Sequence, residues 1–237
     1  MGTMIGIIGA MASEVEILKE KMKDAKIKTI AGVDFVYGTI MEKNVVVAQC
    51  GIGKVCAALC TQAMIDHFDV ACIINTGVAG GLYRELSVGD IVIASQTIEH
   101  DFDATAFGYV KGYVCTGGDG SQPTVIQTDP MLVSKFKIAA DRILKDSRYF
   151  EGTIVSGDVF VSDAQLKHYL IQEFDAYAAE MEGASIARVA ALNEVPAVVV
   201  RSISDLADQE ANVSFEEFEK KAAKISSEIV LAMLEQE

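Results

Sequence analysis

Residues 71–81 read ACIINTGVAGG, an isoleucine-containing run that passes directly into a glycine-rich segment. A short apolar run of this kind is typical of a strand buried inside a sheet. Open α/β sheets bind their ligands at the carboxyl ends of such strands, and Gly80 and Gly81 would let a ligand approach the backbone closely. Taken alone, the glycines are explained equally well by a tight turn.

Similar runs recur along the chain and alternate with helical patterns. The predicted strands are Met4–Ile8, Val45–Ala48, Ala71–Thr76, Ile91–Ala94, Thr153–Ser156 and Ala197–Ile203, and the predicted helices are Glu14–Met22, Lys54–Phe68, Met131–Leu144, Ala164–Leu170, Ala184–Asn193 and Phe215–Leu234. The segments Lys26–Ile30 and Phe35–Ile40 suggest an antiparallel pair. We therefore predict an α/β fold, one domain over residues 1–237, with a mixed, largely parallel sheet flanked by helices.

Hydroxyl residues predict where three of these helices begin. Ser13, Ser162 and Ser214 are each followed three positions later by Glu or Gln, the pattern of a capping box. The one long glycine-rich stretch without clear periodicity is Phe107–Gln122, which we expect either to have a binding or interface role or to be a mobile surface loop.

Charge and hydropathy narrow the class of protein. Lys and Arg number 20 against 34 Asp and Glu, for a net charge of −14, and this field repels nucleic acids and anionic membranes. The hydrophobic fraction of 51% rules out a disordered chain. No apolar run approaches the ~20 residues of a membrane span, and the apolar start Met4–Met11 lacks a basic flank, so we expect a cytoplasmic protein.

Nothing in the sequence predicts a disulfide framework, a metal or a cofactor. The cysteines are odd in number, and most lie in apolar segments: Cys50, Cys56, Cys60, Cys72 and Cys115. No histidine has finger spacing to Cys56 and Cys60. Gly51–Lys54 lacks the third glycine of a dinucleotide fingerprint, and no segment matches a Walker loop.

Acidic residues fall where predicted strands and helices begin or end. Glu14 lies in the first turn of a helix, Glu180 and Glu182 lie at a strand-to-helix junction, and Asp205 ends an apolar strand. A carboxyl group at the end of a buried strand is desolvated, which raises its pKa and suits a proton donor. The alternatives are a helix-dipole contact for Glu14 and, for Ser204 or Asp205, the N-cap of a short following turn.

Several short motifs occur in one order along nearly the whole chain. They are Gly6–Met11 with Glu14, Gly51–Lys54, Asn75–Gly77, Ala79–Gly81, Thr105–Tyr109, Ser156–Asp158, Glu180–Glu182 and Arg201–Asp205. Together they resemble the 5′-methylthioadenosine/S-adenosylhomocysteine nucleosidases. The resemblance implies a purine nucleoside phosphorylase-like fold, a homodimer without a metal, and hydrolysis of the N-glycosidic bond to adenine and a thioribose product.

The resemblance also implies catalytic roles. Glu14 would be the general base for the attacking water, Asp205 the acid that protonates adenine at N7, and Glu182 the residue that binds the ribose hydroxyls, while Ser204 helps to position Asp205. An oxocarbenium-like ribose requires an acid at the leaving base and an ionised carboxylate at the water. We expect Glu14, at a helix start, to ionise readily and Asp205 to keep its proton.

The remaining site residues concern substrate binding. By the same resemblance Phe160 stacks on adenine, the backbone of Val161 reads the adenine edge, and Phe107 reaches in from the partner subunit. The glycine loop at Gly80 completes the pocket. An apolar wall around the alkylthio group is implied for Met11, Ile52, Met181 and Phe215. Val78 departs from the serine often found at that position in these enzymes.

Two other functions compete with this interpretation. A purine nucleoside phosphorylase of the same fold needs a phosphate site built with arginines, but Gly9–Glu14 and Ile73–Gly77 contain none, and Glu14 would repel phosphate. A non-catalytic nucleoside-binding protein is argued against by the presence of both Glu14 and Asp205. The sequence leaves open the preference among methylthioadenosine, S-adenosylhomocysteine and aminodeoxyfutalosine-type substrates.

Overall fold

The computed structural model describes residues 3–115, 117–145, 148–208 and 211–236, and within them ten strands form one mixed sheet. The strands are β1 Met4–Gly9, β2 Lys23–Ile30, β3 Val33–Ile40, β4 Lys43–Gln49, β5 Val70–Gly81, β6 Ile91–Glu99, β7 Val125–Gln127, β8 Tyr149–Ser156, β9 Ala176–Glu180 and β10 Ala197–Asp205. The helices are α1 Ala12–Glu20, α2 Lys54–His67, α3 Pro130–Ile143, α4 Ala164–Phe174, α5 Gly183–Leu192 and α6 Ala211–Leu234.

Strand β5 organises the sheet. The strand order is β10-β6-β8-β9-β5-β1-β4-β3-β2, and β10 also pairs with β5, so that five strands close into a ring while the others extend from it. Strand β1 pairs with the first half of β5, up to Asn75, and β9 pairs with its last two residues, Gly80 and Gly81. The opposite edge of β5 pairs in parallel with β10. Four chain segments that carry predicted site residues therefore meet at the carboxyl end of β5.

Two apolar layers hold the helices on the sheet. Ile7 of β1 packs in one core with Phe136 of α3 and Val230 of α6, whereas Ile8 packs in the other with Met64 of α2. Successive strand side chains point to opposite faces, so this one strand contributes to both cores. Each such fully buried side chain contributes about 1.5–3 kcal/mol to folding.

The predicted strands and helices are confirmed, with differences at their ends. Strand β5 continues through the glycines to Gly81 instead of stopping at Thr76, because Arg201 to Asp205 of β10 pair with residues 77–80. The antiparallel pair is confirmed as β2 and β3, which turn at Ala31 and Gly32 with positive φ angles of 50° and 79°.

The three predicted serine N-caps are wrong. Helix α1 begins after Met11, so Ser13 lies inside it and donates to Glu219, while Glu14 accepts from the N–H groups of Ala10 and Met11 just before the helix. At α4 the stronger acceptor one residue on, Asp163, caps the helix in place of Ser162. Helix α6 begins at Ala211, so Ser214 lies inside it.

The predicted long loop forms only one short turn. A 3₁₀ turn at Thr105–Phe107 opens it, and its remaining described residues form neither helix nor strand until β7; Thr116 lies outside the described ranges. Among the described residues, no helix has both the length and the apolar character needed to cross a membrane.

Candidate active site

A cavity of about 390 Å³ opens at the carboxyl ends of β1, β5, β9 and β10. It brings together ten of the predicted site residues: Met11, Glu14, Ile52, Gly80, Phe160, Met181, Glu182, Ser204, Asp205 and Phe215. Val161 lines a small adjoining pocket that also includes Gly80, Phe160 and Asp205. Phe107 does not line this chain's cavity, and its side chain is 81% exposed.

A second cavity lies at the opposite ends of the strands and lacks comparable chemistry. It measures about 490 Å³, lies between Thr3 and Gln236, and its two acidic residues, Glu42 and Glu235, are exposed. The described residues contain no group of three or more His, Cys, Asp or Glu side chains arranged to hold a metal ion. The buried carboxyl groups at the carboxyl ends of the strands therefore mark the candidate active site.

Glu14 is held by three backbone N–H groups. Its Oε2 accepts from the nitrogens of Ala10 at 2.7 Å and Met11 at 2.9 Å, and its Oε1 accepts from Val78 N at 3.0 Å. The Val78 N–H is available because β1 and β9 pair with β5 on either side of this position. Three donors directed at one carboxyl group fix its orientation and favour its ionised form.

Burial nevertheless dominates the pKa of Glu14. The side chain is only 3% exposed, and burial raises its pKa, while Arg201 and the three backbone N–H groups lower it. The expectation that Glu14 ionises readily is therefore wrong, because burial outweighs the groups that favour its ionised form. A carboxylate with a raised pKa holds a proton more strongly, which suits a group that must accept one from water.

Helix α6 supports the Glu14 site from behind. Ser227 Oγ donates to the backbone oxygen of Glu14 at 3.1 Å, and Gly77 N donates to Ser226 Oγ at 3.1 Å. All three hydroxyls at this contact, including that of Thr76, are buried, and Thr76 Oγ1 lies 2.7 Å from Ser226 Oγ. These bonds fix the first turn of α1 relative to β5.

Asp205 ends β10 and is 1% exposed. Its Oδ1 accepts from Ala207 N at 2.9 Å, and Ser204 Oγ donates to its Oδ2 at 2.9 Å. Burial is the largest effect on its pKa and raises it, as the sequence predicts, while these two hydrogen bonds lower it. The alternative interpretation, a cap for a short following turn, is confirmed as well, because Asp205 accepts from Ala207 N while it also lines the cavity.

Glu182 lies at the start of α5, where the chain leaves the sheet. Its Oε1 accepts from Gly53 N at 2.8 Å, so the glycine segment before α2 contacts the site. Burial and the neighbouring Glu180 raise the pKa of Glu182 to about 8, while Arg201 lowers it. The two glutamates do lie on one side, although the chain turns between them and does not continue as a strand.

Arg201 is a buried cation of the site for which the sequence predicted no role. It is 2% exposed, and its Nη2 donates to Glu180 Oε2, to Asn75 Oδ1 at 2.6 Å, and lies 3.9 Å from Glu182 Oε2. Glu180 also accepts from Gly183 N at 2.7 Å. The sequence did contain a signal for this network, because Arg201 directly follows the apolar residues 197–200 of a predicted buried strand. A charge buried in such a strand requires partners of opposite charge or hydrogen-bond acceptors.

Two aromatic rings border the cavity. Phe160 and Phe215 meet edge to face with ring centroids 5.6 Å apart, and Phe160 remains 40% exposed. Phe215 also packs with Met11 beside Val78, Ala222 and Ala223. This side of the cavity is apolar and suits an aromatic base or a thioalkyl group rather than a charged one.

The fold and the site together define a member of the Phosphorylase superfamily, whose sequence profile matches residues 4–235. The chain is 43% identical to the 5′-methylthioadenosine/S-adenosylhomocysteine nucleosidase of Anoxybacillus flavithermus, over 97% of each chain. It belongs to this nucleosidase family.

Solved structures agree with this membership. The nucleosidase of Colwellia psychrerythraea in complex with adenine superposes with a TM-score of 0.92 at 41% identity, covering 99% of this chain and 95% of the other. The futalosine hydrolase of Helicobacter pylori superposes with a TM-score of 0.90 at 38% identity, covering 98% and 97%.

Proposed function

We propose that this protein hydrolyses the N-glycosidic bond of 5′-methylthioadenosine and S-adenosylhomocysteine, releasing adenine and the thioribose product. The observation that carries the proposal is a pair of buried carboxyl groups, Glu14 and Asp205, that line one cavity in a member of the nucleosidase family. Burial raises the pKa of both groups, which suits proton transfer near neutral pH.

In this reaction Glu14 takes a proton from the attacking water and Asp205 delivers one to N7 of the departing adenine. Bond cleavage leaves positive charge on the ribose, which the carboxylate of Glu14 stabilises. Glu182 binds the ribose hydroxyls, with Arg201 limiting the cost of its burial. Phe160 stacks on the adenine and the backbone of Val161 reads its edge.

Water, rather than phosphate, is the nucleophile. Four carboxylic residues line the cavity: Glu14, Glu180, Glu182 and Asp205. The lining contains no lysine or arginine from the described part of the chain. Arg201 is near, but its guanidinium already serves Glu180 and Asn75. A phosphate dianion at this position would meet repulsion from the ionised carboxylate of Glu14 without a compensating cation.

We also propose a homodimer in which the partner's copy of Phe107 covers the alkylthio end of the cavity. On this chain Phe107 is 81% exposed, and helix α2 presents Val55 and Leu59, 80% and 48% exposed, four residues apart on one face. Ile52, which lines the cavity, is 57% exposed beside this face. Apolar groups exposed together favour association with a second copy.

Product analysis tests the reaction. We expect methylthioadenosine to yield adenine at the same rate with and without phosphate, together with the free sugar. Phosphate-dependent release, or a sugar 1-phosphate, would assign the protein to the phosphorylases instead. S-adenosylhomocysteine and futalosine in parallel reactions establish the substrate range, since one similar structure is a futalosine hydrolase.

Variants test the assignment of roles. We expect Glu14→Gln and Asp205→Asn each to lose about 10²–10⁴-fold in kcat while remaining folded. Glu16→Gln, on the same helix, and Asp66→Asn, on α2, change exposed carboxylates and serve as matched controls with unchanged turnover. Turnover near that of the original chain in either site variant would contradict its role.

A further inference from the structure

The peptide bond between Leu206 and Ala207 connects the proposed catalytic acid to a cation. Its N–H donates to Asp205 Oδ1 at 2.9 Å, and its carbonyl oxygen accepts a hydrogen bond from Lys167 Nζ. Hydrogen bonds at the two ends of one peptide group reinforce each other, because a cation at the oxygen polarises the N–H. Lys167 therefore acts on Asp205 without touching it.

The turn that carries this peptide is strained. Ala207 has a φ of 50°, in the left-handed region that residues other than glycine rarely adopt, and it is completely buried. Its side chain packs closely against Gly80, where an added Cβ would lie 3.1 Å from the Ala207 Cβ. Such a conformation persists only where surrounding contacts enforce it. The Lys167 hydrogen bond is one of these contacts.

Helix α4 gives Lys167 a fixed origin. The Asp163 carboxylate caps the helix by accepting from Leu166 N at 2.8 Å, and Lys167 N donates to Asp163 O at 2.9 Å. Leu170 and Phe174, on the same helix, are buried in a core with Val161 and Ala207. The lysine stem is half-buried. The backbone of Lys167 is therefore fixed close to the turn, and the side chain places its ammonium group on the Leu206 carbonyl oxygen.

We propose that Lys167 is a positioning residue that holds the Leu206–Ala207 peptide so that its N–H stays directed at Oδ1 of Asp205. The inference rests on the proposed function, which gives Asp205 the role of acid. With Oδ1 bound to this N–H and Oδ2 beside Ser204 Oγ, the carboxyl group cannot rotate freely. Loss of the ammonium group would loosen the turn and misdirect the proton.

Removal of Lys167 also has an electrostatic consequence. Two charged groups act on Asp205 in opposite directions, Asp208 three residues further along the chain and Lys167 from α4. The lysine favours the ionised form of Asp205 and Asp208 disfavours it. Without the lysine, Asp205 should keep its proton to higher pH, although solvent screening limits the change.

The test compares Lys167→Met, Lys167→Arg and the control Lys224→Met, which removes an exposed lysine of α6. In Lys167→Met we expect kcat to fall about ten- to a hundredfold with KM little changed, and the alkaline limb of the kcat/KM profile to move to higher pH. Lys167→Arg should restore most of kcat, and Lys224→Met should match the original chain. In an Asp205→Asn background, Lys167→Met should cost little more.

Two outcomes would overturn the inference. One is a Lys167→Met enzyme with unchanged kcat and pH profile, and the other is an equal loss in Lys167→Met and Lys167→Arg with no movement of the alkaline limb, which indicates packing alone. Adenine release by the original chain in the same assay separates this failure from a failure of the proposed function.

Discussion

Gly77 and Gly80 lie three residues apart on β5, and each leaves room for one carboxyl group. A Cβ atom on Gly77 would collide with the carboxyl group of Glu14, and one on Gly80 would lie 3.0 Å from Asp205 Oδ1. At about 3.3 Å per residue, the two glycines are separated by about 10 Å along the strand. One strand therefore spaces the proposed base and acid, with room for a sugar ring between them.

Gly77→Ala is expected to inactivate the enzyme without unfolding it. The added methyl group would displace the Glu14 carboxyl from its contact with Val78 N, and small displacements of a catalytic group cost about 10²-fold. Adenine release measures kcat, and adenine binding, which depends on the other end of the cavity, should be retained.

The matched control is Gly32→Asn, in the turn between β2 and β3, where nothing lies within 4 Å of the added carbon and asparagine tolerates the left-handed backbone. It should leave kcat unchanged. A Gly77→Ala enzyme with the kcat of the original chain would show that the position of Glu14 does not limit catalysis.

The pH dependence of kcat/KM should be bell-shaped. Activity should fall at low pH as Glu14 becomes protonated and at high pH as Asp205 loses its proton. Because burial raises the pKa of both groups, the acid limb should lie above the ordinary glutamate value of 4.5, and the alkaline limb above the ordinary aspartate value of 3.8. Initial rates at substrate concentrations far below KM measure this profile.

Residual activities of the variants assign the two limbs. The acid limb should be missing in Glu14→Gln and the alkaline limb in Asp205→Asn. A profile that keeps both limbs in either variant would place the titrating group elsewhere.

The sequence predicted the elements of this site well because its residues lie at the ends of periodic segments. Asp205 follows an apolar strand and Glu14 opens a helix, and the carboxyl ends of neighbouring parallel strands meet at one edge. Ten of the twelve predicted site residues line one cavity, and Val161 lines the adjoining pocket. Pattern located the acidic residues at this edge of the sheet, whereas the aromatic and apolar lining was predicted from the family resemblance.

Contacts between segments distant in sequence could not be predicted from local patterns. The pairing of β10 with both β5 and β6 closes the ring, and nothing in either sequence segment specifies it. The Arg201 network likewise depends on where β9 ends relative to β10. The predicted serine caps failed because the helices begin at other residues: Ser13 and Ser214 lie inside α1 and α6, and Asp163 caps α4 one residue after Ser162.

Glu182→Gln is expected to change the pH dependence of stability. Burial and Glu180 raise the pKa of Glu182 to about 8 in the folded protein, against an ordinary value of 4.5. Between these values the folded protein holds a proton that the unfolded chain releases, so the contribution of Glu182 to stability falls as pH rises. A glutamine side chain cannot titrate, so the variant does not lose this stability as pH rises. The free energy of unfolding of the variant, relative to that of the original chain, therefore changes by at most about 1.4 kcal/mol per pH unit.

Urea unfolding across pH ~5 to 8 measures the difference. The free energy of unfolding of Glu182→Gln, relative to the original chain, should increase with pH over this range. Glu16→Gln, which alters an exposed carboxylate, should follow the original chain throughout. Parallel curves for Glu182→Gln would show that Glu182 titrates normally in the folded state.

Phe107→Ala is expected to raise KM about ten- to a hundredfold, because a phenylalanine that covers the substrate removes a large apolar area from water. If the partner supplies this ring, mixing Phe107→Ala with Glu14→Gln should restore activity at substrate concentrations far below KM, since the mixed dimer has one site with both residues. Random exchange would give about a quarter of the original sites.

Mixing Glu14→Gln with Asp205→Asn should restore nothing when both groups come from one chain, because neither site of that dimer is intact. A Phe107→Ala mixture no more active than its separate components would place Phe107 outside the partner's cavity.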